Sequence, residues 1–163
     1  MRIVDTSREP LKWSLEFVGR GVGASKTTTV RDGAVLAEEF GIGDEIGVHW
    51  IIPDYVDRYQ DVTVKVHAYI NAAESGKLAS MQMQVGSSNG APVNVVLGTE
   101  TDVDRAVSDV AFVDFHFDFT LDAATYMPTK TEDAIQLIIT RIASSNDPTA
   151  DVRVHLVELE ARA

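Results

Sequence analysis

The sequence predicts an all-β protein, a two-sheet antiparallel β-sandwich of jelly-roll type, and three observations predict it. Apolar and polar residues alternate with a period of two in segment after segment. Turn residues fall between these segments at short intervals, and only residues 34–40 carry a helical repeat.

Residues 1–10 stand apart from the pattern. Arg2, Asp5, Arg8 and Glu9 surround Ile3 and Val4, and Pro10 precedes the first clear strand. The plain reading is a frayed terminus. The sharper one is an extended arm, with Arg2, Ile3, Val4 and Arg8 pairing with a partner's sheet edge, followed by a sandwich domain over 11–163. Leu11, Trp13, Leu15 and Phe17 then alternate with Lys12, Ser14 and Glu16 as one strand. A glycine loop follows, and Thr27-Thr28-Thr29-Val30 is β-branched throughout, which favours extended backbone. Residues 34–40, with Leu36 and Phe40 one helical turn apart, form the one candidate helix.

Ile46, Val48, Trp50 and Ile52 resume the alternation. Its clearest form sets Val62, Val64, Val66, Ala68 and Ile70 against Thr63, Lys65, His67, Tyr69 and Asn71. Ala79, Met81, Met83 and Val85 alternate with Ser80, Gln82 and Gln84; Val93, Val95 and Leu97 make a short run. Val113, Phe115, Phe117, Phe119 and Leu121 alternate with Asp114, His116, Asp118 and Thr120. Residues 134–142 are apolar on both parities, the pattern of a strand covered on both faces. Val152, Val154 and Leu156 alternate until Val157 and Leu159 switch parity, which predicts a bulge. Asp32-Gly33, Gly41 to Asp44, Ser75-Gly76, Asn89-Gly90 and Asn146-Asp147-Pro148 supply turns.

Composition narrows the function. The chain has 163 residues, which fits one domain, and a domain of that size buries roughly 68–70% of its unfolded surface. It contains no Cys, so neither disulfides nor thiolate metal sites hold it together. Lys+Arg is 14 and Asp+Glu is 25, a net charge of -11 that repels nucleic acid and anionic lipid. No apolar run reaches the ~20 residues of a membrane span, and the charged start lacks a signal peptide's apolar stretch. We therefore expect synthesis in the cytoplasm.

The chemical motifs fall short of an active site. Gly19 to Thr28, with Lys26, resembles a phosphate-binding loop, but Ser25 stands where a Gly must precede the Lys, and no helix follows. His49, His67, His116 and His155 each fall on the parity opposite the apolar residues, and none lies close in sequence to another. They read as solvated or interface residues, not as ligands of a metal. No nucleophile elbow is present. The acidic pairs read as loop charges, with Asp54/Asp57/Asp61 and Asp102/Asp104 as open candidates for calcium. The expectation is a protein that is not an enzyme and uses no cofactor or metal.

An order of elements carries a resemblance. A Trp strand ends in Ile52-Pro53-Asp54-Tyr55, and the long strand Asp61 to Tyr69 leads to the small-residue turn at 72–76. An alternating Phe strand spans Phe115 to Phe119, and Ile135–Arg141 precedes Asp151–Glu158 across an Asn-Asp-Pro loop. Over residues 34 to 160 the chain resembles small virion proteins of tailed bacteriophages and related archaeal viruses, of capsid-decoration or head-fibre type. The resemblance implies a jelly-roll sandwich, usually trimeric, on the capsid surface, with the major capsid protein as partner. The first expectation is accordingly a capsid decoration (cement) protein, a homotrimer bound through its arm. The second is a receptor- or glycan-binding head or fibre domain of a virion, with Tyr55, Tyr59 and Tyr126 as exposed aromatics. A glycan hydrolase ranks last. His67, Tyr69 and Leu78 form the candidate subunit interface.

Overall fold

The structure is a computed structural model and describes residues 9–15, 17–20, 27–87, 96–127 and 134–163. These form eleven strands and one short helix: β1 (Leu11–Leu15), β2 (Phe17–Arg20), β3 (Thr28–Asp32), β4 (Val35–Phe40), β5 (Glu45–Ile51), β6 (Val62–Tyr69), β7 (Leu78–Ser87), β8 (Gly98–Ala106), β9 (Phe115–Leu121), α1 (Ala123–Tyr126), β10 (Ala134–Ile142) and β11 (Val152–Ala161). The first sheet runs β3-β4-β11-β6-β9, with β1 also paired to β11; the second runs β2-β5-β10-β7-β8. Every pairing is antiparallel. The expected two-sheet antiparallel sandwich is what the chain forms.

Alternation decides which side chains meet between the sheets. Val62, Val64, Val66 and Ala68 of β6 are buried, and Thr63, Lys65 and His67 face out. Phe40, Trp50, Met81, Met83, Phe117, Leu137, Ile139 and Leu159 join them in one core. The bulge in β11 falls where the parity switch predicts it, with the register against β6 shifting between Val154 and Leu156. His155 sits at that shift and shares the outer face with Arg153 and Glu158.

Four expectations change. The strand expected over 11–17 is two: β1 pairs with β11, and β2 pairs with β5 in the other sheet. Both halves keep the alternation, so one period fits two sheets. Residues 35–40 are strand, not helix. Asp32-Gly33 makes the turn, Gly33 taking the left-handed backbone (φ 61°), and Phe40 pairs with Val152 on the core side. Ladder pairing outweighs a single helical spacing. β10 is covered on one face only: Ile138 points outward and is 37% exposed, while Arg141 occupies a core-facing position. Finally, Asp102 and Asp104 lie on strand β8, not in a loop. Val93, Val95, Asn89-Gly90 and the loop over 21–26 lie outside the described residues, as do residues 1–8 of the arm.

Candidate functional site

Residues facing out of the second sheet form a grid set by strand register. Across β5, β10 and β7, His49, Gln136 and Gly86 align. The next row is Gly47, Ile138, Gln84 and Thr99, and the next Glu45, Thr140, Gln82 and Thr101. In a chain of net charge -11, these rows hold one carboxylate, Glu45, at the start of β5. The rest are amides, hydroxyls, an imidazole, glycines and Ile138. Gly47 and Gly86 flank Gln136 and Ile138, leaving their side chains raised above a flat floor. Across β5 to β8, at ~4.8 Å between strands, the face is about 14 Å wide.

The outer face of the first sheet is built from ion pairs. Arg153 reaches Glu39 at 2.8 Å and also binds Asp32. Lys12 and Lys65 approach Glu160 at 3.1 and 3.3 Å. At the edge between the sheets, Arg105 of β8 joins Asp102 of the same strand at 2.6 Å and reaches Asp118 of β9 at 3.3 Å. Arg153 and the Tyr69 hydroxyl, which donates to Asp32 at 2.7 Å, hold the Asp32 carboxyl below the usual carboxylate range. Burial and that bond push the Tyr69 phenol up to about 12. Lys12 lowers the Glu160 carboxyl in the same way.

Three of the four histidines also meet on this face. His67 and His116 are register partners, with ring centres 5.7 Å apart, and His155 lies 6.2 Å from His67. Asp114 sits between two of them, 3.1 Å from His67 Nδ1 and 2.6 Å from His155 Nε2. Among the described residues, no three His, Asp or Glu side chains converge as ligands of a metal.

Of the residues singled out from the sequence, Arg2, Ile3, Val4 and Arg8 lie outside the described residues. His67 and Tyr69 are neighbours on the first sheet, but Leu78 begins β7 in the second, so the three do not form one patch. Tyr69 faces outward yet is buried, its ring 6.1 Å from that of Phe112. Tyr55 and Tyr59 are exposed and Tyr55 stacks near Trp13 at 6.5 Å, whereas Tyr126 is buried and donates to Glu100 at 2.7 Å. The grid of Gln82, Gln84, Gln136, Thr140, Thr99 and Thr101 was not singled out. Its signal was the run of outward positions without charge in an otherwise acidic sequence.

No family model matches this chain, and no curated protein matches it in sequence. Solved structures do. A xylan-binding module, CBM15, is 15% identical with a TM-score of 0.53, over 93% of this chain and 97% of the module. Xylanase10C from Cellvibrio japonicus, in complex with xylopentaose, is 13% identical with a TM-score of 0.51 over 91% of this chain. The chain spans 28% of that xylanase. At these identities the likeness establishes the sandwich fold.

Proposed function

We propose that the domain is a non-catalytic glycan-binding module that lays a neutral sugar chain across the outer face of the second sheet. The observation that carries this reading is the uncharged grid of Gln82, Gln84, Gln136, Thr140, Thr99 and Thr101. An amide offers two donors and an acceptor, and a hydroxyl offers both roles, which matches the hydroxyls of a sugar. Stripping water from amides costs far less than stripping it from charges, so an uncharged face is the cheaper one to cover. Ile138 supplies an apolar contact at the centre. The likeness in fold to a xylan-binding module supports the same class of ligand.

Calorimetry or affinity electrophoresis against neutral polysaccharides such as xylan and mannan, with an anionic polysaccharide as control, tests the reading. Binding to a neutral polymer is expected, and Gln84→Ala with Gln136→Ala should abolish it while leaving the fold intact. A double variant that binds as well as the parent overturns it. Display on a virion, as a head or fibre domain, rests on the sequence resemblance, and copy number in purified particles tests it. For trimeric capsid decoration through the arm, no described residue adds support.

A further inference from the structure

A groove of about 420 Å³ opens on the first sheet, away from the proposed glycan face. It lies between the β3–β4 turn and the segment before β9, and Asp32, Val35, Tyr69, Phe112, Asp114 and His155 line it. A volume in the ~300–1,000 Å³ range suits a small ligand. Phe112 shapes it. Its backbone is left-handed (φ 63°), a conformation that a bulky side chain adopts only when held, and its N–H donates to the Ile70 carbonyl at 2.8 Å. The held backbone presents a ring that is 59% exposed, against Tyr69. An outlier combined with an exposed aromatic points to recognition.

The charges say of what. Asp32 and Asp114 line the groove; Arg153 sits beside Asp32, and Arg31 donates to the carbonyl of Gly33 in the groove wall at 2.8 Å. Arg153 is already held by Asp32 and Glu39. Among the described residues, the partners of Asp114 are imidazoles, and its side chain is nearly half exposed. Asp114 sets an exposed carboxylate beside an aromatic face, and the acidic body of the protein adds to the field. Ring faces attract cations, most strongly when partly desolvated. We propose that this groove is a second ligand site, which takes an organic ammonium group between Phe112 and Asp114.

The test uses NMR titration of the whole chain with tetramethylammonium and glucosamine, and with N-acetylglucosamine as the neutral control. Saturable shifts at Phe112 and His155 are expected with the two cations at neutral pH. Asp114→Asn should weaken binding at least tenfold. Phe112→Gly removes the ring and relieves the backbone, so it folds and should also lose the site. Equal response to the neutral sugar, or undiminished binding in Asp114→Asn, overturns the proposal. Glycan binding at the second sheet is read separately, at Gln84 and Gln136, so either idea can fail alone.

Discussion

The two outer faces of this sandwich use the same alternation and the same core, yet spend their polar residues in opposite ways. On the first sheet, charges meet across strands: Arg153 with Glu39, Lys65 with Glu160, Lys12 with Glu160. Cross-strand pairs of opposite charge fix register, and their partners lie within the protein. Across β5, β10, β7 and β8 the second sheet offers amides and hydroxyls, and no ion pair among the described residues crosses those rows. The ion pairs of one face satisfy each other, and the amides and hydroxyls of the other are the groups we propose for a glycan. Where polar groups find their partners separates a structural surface from a binding one more sharply than how polar it is.

The comparison presumes a single core beneath both faces, and the largest effect tests it. Val64 of β6 is fully buried, as is Ile139 of β10. Val64→Asp places an unpaired carboxylate between the sheets, at a cost of several kcal/mol, and should unfold the domain. Both sheets should melt together by NMR probes on β6 and β10. Loss of the first sheet alone would mean two cores.

A smaller effect distinguishes the faces. Arg153→Met leaves Asp32 and Glu39 without their cation in a partly buried setting and should cost about 2 kcal/mol by denaturant unfolding. Gln84→Ala, half-buried on the outer face and outside any ion pair, should stay within about 0.5 kcal/mol. Equal costs would break the contrast. The acid limb sharpens it. The carboxyls of Asp32 and Glu160 are held below their usual range, so their contribution is present above the unfolded carboxylate range and is lost as the pH falls from there through their lowered folded range. Arg153→Met should therefore lose less stability than the parent between about pH 5 and 3.

Packing gives a third size of effect. Tyr126 lies across Gly98, where an added Cβ would sit 2.8 Å from its ring edge. Gly98→Ala should destabilise the domain by about 1–3 kcal/mol through overpacking. Restoration by a second change, Tyr126→Leu, would confirm the cause.

Much of the fold was legible because alternation is local. The β6 faces, the Phe strand and the β11 bulge all follow from neighbouring residues. What alternation does not contain is partner choice. Leu11 to Phe17 reads as one strand because Leu15 and Phe17 both face a core, and nothing in the period reports that they belong to different sheets. β8 was missed because Asp102 and Asp104 read as loop charge, although Asp102 is bound by Arg105 and Asp104 accepts the Ser145 N–H. The candidate site is legible only through register. Gln84 and Gln136 lie far apart in sequence, as do His67, His116 and His155, and pairing alone brings each set together.

The smallest expected effect concerns salt, and it separates the two proposed ligands by mechanism. A neutral sugar on the Gln84 and Gln136 grid displaces water from amides and gains hydrogen bonds without a net charge on either side. The screening length shrinks from about 10 Å at 0.1 M salt to 3 Å at 1 M, which acts on charges and leaves neutral contacts nearly untouched. The glycan association constant should therefore change less than about twofold between roughly 0.05 and 0.5 M sodium chloride. An ammonium group held by Asp114 draws part of its attraction from the acidic protein around it. Sodium both screens that field and competes for it, so this affinity should fall several-fold over the same range. Calorimetry for the glycan and NMR titration for the cation, on one preparation, give both slopes. A steep slope for the glycan would place its binding among the charges of the first sheet and remove the distinction drawn between the two faces.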